Sequence, residues 1–314
     1  MLSTTPPRFT YLNESQRQFS VVSHAAAIFR EATVFSADEY PLTVYTAGSI
    51  SQPTVLLVAP LGISCAMLAN LADHLLPTFH VLTWEGRGLS GSDSDTAGDF
   101  PPDTHLSDMK AVLGSAGKNV PEHIVSYCSG AYSTLYGAAN GLFPHGRMCL
   151  VSPPIDAGGL GNRTNYQKTF LPLLDRIAVE GVRFAALVRA MLDDSEAAPS
   201  DELMSLNNMP FSSAESTYCY ARLHAPWRRM DWAPILRRLS VPMRIVHGNR
   251  DAYIHPDSVH QLAGCIARCS VDWIPDAGHF GVYDNPVLLE KVSRFLTHGA
   301  TRTVAEPGAV LRSE

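Results

Sequence analysis

The sequence predicts an α/β fold in which a mostly parallel central sheet is flanked by helices and carries a helical insertion. Short runs of β-branched and aliphatic residues recur along the chain, and amphipathic stretches of helical length separate most of them. Runs that are apolar at nearly every position are typical of parallel strands that are buried on both faces. Between residues 154 and 240 this alternation stops and apolar residues recur at helical spacing instead, which predicts the insertion.

The predicted elements begin with two antiparallel strands at one edge of the sheet, at residues 18–22 and 42–47. Six parallel strands are predicted at residues 54–58, 79–83, 123–126, 148–151, 243–247 and 270–274. Each of the six contains β-branched residues, which favour strands. Helices are predicted at residues 64–76, 104–113, 129–140, 257–267 and 286–297, where the pattern becomes amphipathic.

These elements divide the chain into a core, residues 1–153 and 241–314, and a cap, residues 154–240. The helical spacing in the cap is carried by Phe170, Leu173, Leu174 and Ile177, and then by Phe184, Leu187, Val188 and Met191. We expect the cap to cover the carboxyl edge of the sheet, exclude water and shape a pocket. The alternative is that these helices only extend the core. Residues after His298 are expected to form a frayed tail.

The composition describes a globular protein and excludes several classes of function. The chain has 314 residues, of which 46% are hydrophobic and 17% charged, and its net charge is −6. Nucleic-acid binding is not expected, because it usually requires a strongly basic surface. The six cysteines are too dilute for a disulfide scaffold, and the longest apolar run, residues 55–61, is too short to cross a membrane. Without a signal sequence at the N-terminus, a cytoplasmic protein is expected.

Residues 124–132, IVSYCSGAY, predict the nucleophile of an enzyme. A β-branched run ends in a small residue, two residues before Cys128, and Gly130 follows two residues after it. This spacing is typical of a nucleophile elbow, where a strand turns sharply into a helix and leaves room only for small neighbours. Ser129 fits the central position less well, because Tyr127 would then occupy a tight site. The alternative for Cys128 is a buried thiol of the core.

The elbow would place Cys128 at a helix N-terminus, where the helix dipole favours a thiolate or a developing oxyanion. A free cysteine has a pKa of about 8.5 and is mostly protonated at neutral pH. A base or a cationic partner is therefore expected next to Cys128.

Five segments of the chain together resemble the signature segments of the α/β-hydrolase superfamily, in the same order. They are residues 58–62 (VAPLG), 85–91 (EGRGLSG), 126–130 (SYCSG), 247–251 (HGNRD) and 276–280 (DAGHF). The resemblance spans residues 42–295 and implies an α/β-hydrolase fold. The chain departs from the pattern twice: the elbow carries Cys128 in place of serine, and Ala59 and Pro60 replace the usual His-Gly pair.

The resemblance implies roles for four further residues. Asp251 matches the position of the acid and His279 that of the base, so that nucleophile, acid and base follow the order of the superfamily. Asp156 is the alternative acid, since some members place it after the preceding strand. The backbone N–H groups of Ser129 and Leu61 match the oxyanion hole. No cofactor and no metal site are predicted.

A Cys-His-Asp triad predicts acyl transfer through a thioester on Cys128. The chain resembles cysteine-dependent thioesterases and aminoacyltransferases of nonribosomal peptide and polyketide pathways, which implies an acyl-thioester on an acidic carrier protein or on coenzyme A as substrate. Arginines at the end of the cap would then face the partner, namely Arg222, Arg228, Arg229, Arg237 and Arg238. Two alternatives remain open: an ester or lactone hydrolase with a cysteine nucleophile, and a non-catalytic ligand-binding protein of the same fold.

Overall fold

Eight strands form one twisted sheet in the order β1-β2-β4-β3-β5-β6-β7-β8. The computed structural model describes residues 6–89, 100–117, 121–158, 161–193 and 202–298. The strands are β1 (Arg30–Phe35), β2 (Pro41–Ala47), β3 (Thr54–Val58), β4 (His80–Trp84), β5 (His123–Tyr127), β6 (Arg147–Val151), β7 (Met243–Gly248) and β8 (Cys269–Ile274). β1 pairs with β2 and β2 with β4 in antiparallel register. All pairings from β4 to β8 are parallel, as predicted.

The helices of the core flank this sheet on both faces. They are α1 (Glu14–Arg17), α2 (Ser20–Ile28), α3 (Ala69–Leu75), α4 (Pro102–Ser115), α5 (Gly130–Ala139), α11 (Pro256–Gly264) and α12 (Pro286–His298). Between β6 and β7 lie α6 (Leu171–Glu180), α7 (Val182–Asp193), α8 (Glu202–Asn207), α9 (Ala214–Arg228) and α10 (Trp232–Leu236). The chain thus has the architecture of an α/β-hydrolase fold, with a helical segment in the interval where the alternation of strands and helices stops.

The prediction of an edge strand at residues 18–22 is wrong. Most of this stretch lies in α2, where Val21, Val22 and Ala25 are buried on one side of the helix. Two adjacent valines favour a strand locally, but the burial repeats with helical period. The true edge strand, β1, was not predicted, because its residues REATVF are half-exposed and contain two charges. Charged residues are common on edge strands, where they oppose pairing with another sheet.

The core lies on both sides of the sheet, because β3 and β4 are buried at every position. One apolar cluster contains Val55, Leu57 and the face of α12, and the other contains Leu56, Leu82 and Tyr132. Alternate side chains of β3 therefore enter opposite layers, as the period of a strand requires. A third cluster joins α6, α7 and α9 through Leu174, Val188 and Ala221.

Two buried polar networks hold the loops at the carboxyl edge of the sheet. Arg87 donates to Asp108 through Nε at 2.8 Å and through Nη2 at 2.7 Å, and it also binds Asp38. Glu85 accepts from the Cys65 N–H at 3.0 Å and from Ser64 Oγ at 3.0 Å. Burial raises the pKa of Glu85, which these donors partly offset. The Glu85 network restrains the segment that follows β3, and the Arg87 network joins the loop after β4 to α4.

In the described part of the chain, no helix combines the length and the apolar character that crossing a membrane requires. The last predicted feature, the tail after His298, lies outside the described residues.

Candidate active site

Cys128 lies between the end of β5 and the start of α5 and has a left-handed backbone conformation, with φ of 46°. A non-glycine residue in this region is strained and persists where the surrounding structure enforces it. Here the Cys128 N–H donates to the Val151 carbonyl at 2.9 Å. A Cβ atom at Gly130 would lie 2.6 Å from the Val58 carbonyl oxygen, so this position requires glycine. The predicted sharp turn between strand and helix is therefore present, and its central residue is Cys128.

His279 and Asp251 form a buried pair, with 2.8 Å between Nδ1 of the histidine and Oδ2 of the aspartate. Asp251 follows β7, and its other oxygen accepts from the N–H groups of Tyr253 at 2.8 Å and Ile254 at 2.9 Å. These two bonds fix the carboxylate on the histidine. His279 begins a single 3-10 turn after β8 and hydrogen-bonds Cys128. The structure thus brings together the three side chains that the sequence singled out.

The electrostatics of the trio favour a charged imidazole. Burial alone would lower the pKa of His279, but the charges of Cys128 and Asp251, with hydrogen bonds to both, raise it to about 10. Burial opposes ionisation of Asp251 as well, yet the charge and hydrogen bond of His279 hold the pKa of that carboxyl below its usual value. An imidazolium held between a carboxylate and a sulfur is suited to stabilise a thiolate.

Asp156, the alternative acid, is an exposed loop residue. Its Oδ1 accepts from the Gly158 N–H at 3.0 Å and lies 3.4 Å from Arg163 Nη2. The carboxylate that contacts His279 is that of Asp251.

Leu61 and Ser129, the two predicted oxyanion donors, also lie together. The Leu61 N–H donates to the Ser129 Oγ at 2.9 Å, and this contact is buried. The loop that follows β3 is therefore joined to the first residue after Cys128 by a side chain. Their roles in catalysis stay a prediction.

Four tyrosines from different segments lie within the electrostatic influence of Cys128, and none of them was predicted as a site residue. Tyr132 lies on α5, Tyr166 precedes α6, Tyr220 lies on α9 and Tyr253 follows β7. Burial raises the pKa of each phenol, and the charge of Cys128 raises it further. All four phenols thus remain neutral near Cys128. Tyr253 contacts the His279 ring with 4.7 Å between centroids, and Tyr166 contacts Tyr253 at 4.9 Å.

His224 of α9 is a second buried histidine at the site. It hydrogen-bonds the backbone of Leu61, and burial and the charge of Arg228 lower its pKa to about 3. Its ring lies 4.4 Å from that of Tyr220. A backbone group that hydrogen-bonds a histidine and favours its protonation is a carbonyl, so the histidine donates to it. Nε2 has no partner among the described residues, so Nδ1 makes this contact.

The cap arginines are partly engaged within the molecule. Arg228 binds Asp175 with both nitrogens of its fork, at 3.0 and 2.8 Å. Arg222 lies over the rings of Phe100 and Tyr218. A role for these residues in binding an acidic carrier protein stays a prediction.

Comparisons with known proteins agree with this architecture. Residues 55–292 match the model of the Alpha/beta hydrolase family. The chain is 27% identical over 232 residues to an N-formylmaleamate deformylase of Pseudomonas putida, covering 71% of this chain and 80% of that protein.

Solved structures share the fold at low identity. An enol-lactonase from Burkholderia xenovorans has a TM-score of 0.63 and 20% identity, with 82% of this chain and 96% of that chain covered. An esterase from a Rhodococcus species has a TM-score of 0.66 and 16% identity, with coverages of 86% and 99%. The superfamily resemblance seen in the sequence is confirmed, and the chain belongs to the alpha/beta hydrolase family.

Proposed function

We propose that this protein is an acyl hydrolase that forms a thioester on Cys128 and releases the acyl group to water. The observation that carries the proposal is the hydrogen-bonded series from Cys128 through His279 to Asp251 at a strained turn. The cysteine supplies the nucleophile, the histidine moves protons, and the aspartate fixes its tautomer and supports its positive charge.

Acylation begins when the Cys128 thiolate attacks the carbonyl carbon and the carbonyl π electrons move to oxygen. The tetrahedral intermediate collapses, the bond to the leaving group breaks, and His279 Nε2–H protonates the departing oxygen or nitrogen. The ring is then neutral and accepts a proton from water as the water attacks the thioester. Collapse of the second intermediate releases the acid and restores the thiolate beside the imidazolium.

The names of the similar proteins favour water as the acceptor of the acyl group. The similar proteins are named as a deformylase, an esterase and an enol-lactonase. These names support hydrolysis of an ester, lactone or formyl amide by this chain. The four tyrosines beside Cys128 support an acyl group with a flat unsaturated or aromatic part, because aromatic side chains pack well against such groups.

Transfer of the acyl group to a thiol is the second candidate, and the sulfur of Cys128 favours it. A thioester on the protein is close in free energy to a thioester substrate, so exchange between the two is nearly balanced. A carrier protein or coenzyme A would then donate the acyl group.

Mass spectrometry of the intact protein and its peptides tests the proposal. The purified chain is mixed for milliseconds to seconds with p-nitrophenyl acetate and benzoate, an enol-lactone, an N-formyl amide and an acyl-coenzyme A, and then acid-quenched. We expect an acyl adduct on the peptide that contains Cys128, and its decay should match product release.

Cys128→Ala should form no adduct and lose turnover. Cys265→Ala is the matched control, because Cys265 is a free and equally half-buried cysteine. Turnover by Cys128→Ala at the rate of the native chain would refute the proposal. Faster loss of the adduct with an added thiol than with water alone would favour transfer over hydrolysis.

A further inference from the structure

The Leu61 N–H is not free to bind a substrate oxygen, because it already donates to the Ser129 hydroxyl. The distance between the Leu61 nitrogen and Ser129 Oγ is 2.9 Å, and Ser129 is only 2% exposed. For Leu61 to bind an oxyanion directly, the hydroxyl would have to leave this position and give up a buried hydrogen bond.

The Ser129 hydroxyl has a proton of its own to donate. A hydroxyl oxygen that accepts a hydrogen bond turns its hydrogen away from the donor. Among the described residues, neither this O–H nor the Ser129 N–H donates to any group. Ser129 therefore holds two unused donors on the residue that directly follows Cys128.

Two contacts of the loop that contains Leu61 hold the Leu61 N–H against the Ser129 hydroxyl. The Leu61 carbonyl accepts a hydrogen bond from His224. Four residues later in the same loop, the Cys65 N–H donates to Glu85. The Leu61 N–H therefore stays directed at Ser129 Oγ. A hydroxyl that accepts one bond is polarised and becomes a stronger donor for the next.

We propose that the Ser129 hydroxyl is the second donor to the oxyanion, alongside the Ser129 N–H, and that the Leu61 N–H positions it. This proposal depends on the proposed function, since it concerns the tetrahedral intermediate that forms on Cys128. No proton is transferred: the hydroxyl donates a hydrogen bond that strengthens as charge develops on the substrate oxygen.

Two reactions of the Cys128 sulfur distinguish a role of Ser129 in binding the oxyanion from a structural role. Acylation by p-nitrophenyl acetate develops an oxyanion, whereas alkylation by iodoacetamide displaces iodide and develops none. In Ser129→Ala we expect the acylation rate to fall about 100-fold, the usual loss for one oxyanion donor, and the alkylation rate to change less than about twofold. Ser133→Ala is the matched control, because Ser133 is a buried serine one turn later that donates to the Gly130 carbonyl; it should leave both rates unchanged.

The other outcomes overturn the proposal in distinguishable ways. Unchanged or faster acylation in Ser129→Ala would mean that the hydroxyl only occupies the site and that Leu61 binds the oxyanion. Equal losses of acylation and alkylation would mean that Ser129 acts through the structure around Cys128. Slow alkylation of the native chain, with no dependence on His279, would instead refute the proposed function itself.

Discussion

Two buried histidines of the candidate site take opposite charge states. His279, at the edge of the sheet, is 7% exposed, and His224, on the cap helix α9, is 4% exposed. The pKa of His279 is raised to about 10 and that of His224 is lowered to about 3. Burial opposes the charge in both cases, so burial does not explain the difference.

The partners of each imidazole ring explain the difference between the two pKa values. His279 lies between the sulfur of Cys128 and the carboxylate of Asp251. His224 lies against the rings of Tyr132 and Tyr220 and near the cation of Arg228. The core loops thus supply His279 with charges that favour the imidazolium, whereas His224 has aromatic rings and a repelling cation beside it. A buried charge persists only where opposite charge accompanies it.

Removal of His279 should have the largest effect on activity among the variants that test this contrast. In His279→Ala the thiolate loses its cation and the reaction loses its proton carrier, so kcat/KM should fall about 10⁴-fold. In the native chain, Cys128 should be alkylated faster at pH 7 than in the variant, because the imidazolium that would stabilise a thiolate persists up to pH about 10.

In the His279→Ala variant the rate of alkylation should fall well below that of the native chain, because no cation then lies beside the sulfur. His255→Ala is the control, because that histidine lies on the helix cap of α11 and accepts from the Asp257 N–H. Equal alkylation rates in the native chain and His279→Ala would show that the two groups are not coupled.

Asp251→Asn should convert His279 toward the state of His224. The amide keeps the size of the side chain but removes the charge that favours the imidazolium. We expect kcat/KM to fall about 10³-fold, with the pKa of the histidine shifted down. The pKa can be followed by NMR titration of the His279 ring, with Asp156→Asn as the control for the alternative acid. An equal loss in Asp156→Asn would contradict the assignment of Asp251.

The free energy of unfolding should decrease below pH 6.5, because His224 resists protonation in the folded chain. Its pKa in the folded chain lies below the ordinary value of 6.5, so the unfolded chain binds more protons below pH 6.5. Stability is therefore complete above pH 6.5 and falls as the pH decreases toward 3. Between pH 6.5 and 5 the loss should be about 2 kcal/mol, and His224→Phe should remove it, as measured by urea unfolding at both values.

The same variant should lower kcat about tenfold, because the Leu61 carbonyl loses its donor and the loop beside Ser129 loosens. His260→Phe is the control, because His260 lies on α11 and its ring contacts Trp273. An unchanged acid-side stability in His224→Phe would mean that other groups determine the loss.

The fold and the reactive trio could be predicted because their signals are local. Strands such as β3 are apolar at nearly every position, and Cys128, Asp251 and His279 each lie in a short segment that follows a strand. The chain order of those segments then indicated which side chains would meet. Where the local signal was ambiguous, as at Val21 and Val22, the prediction was wrong.

The cap side of the site could not be predicted, because it depends on packing between distant segments. Tyr166 and Tyr220 are separated along the chain, and they meet near Cys128 only after α9 has packed on the loops of the core. Gly62 and Gly88 allow this approach, since a Cβ atom would lie 2.8 Å from Tyr220 and 2.7 Å from Leu223, respectively. The bond between Leu61 and Ser129 likewise joins residues 68 positions apart. Tyr132, at the end of the quoted elbow segment, and Tyr253, two residues after Asp251, lay next to positions that the sequence indicated.

The smallest effect is expected from removal of the Tyr220 hydroxyl on α9. The Tyr220 hydroxyl hydrogen-bonds that of Tyr166, and a phenol can also donate to a substrate oxygen. Tyr220→Phe should raise KM about fivefold, the value of one neutral hydrogen bond, while kcat stays nearly constant. Because burial keeps this phenol neutral, the change in KM should be the same from pH 6 to pH 9. Tyr218→Phe, two residues earlier on α9 and under Arg222, should leave KM unchanged. A loss of kcat that follows pH in Tyr220→Phe would show that Tyr220 contributes charge to the reaction, and the contrast between the charges around His279 and the neutral rings beside His224 would then be wrong.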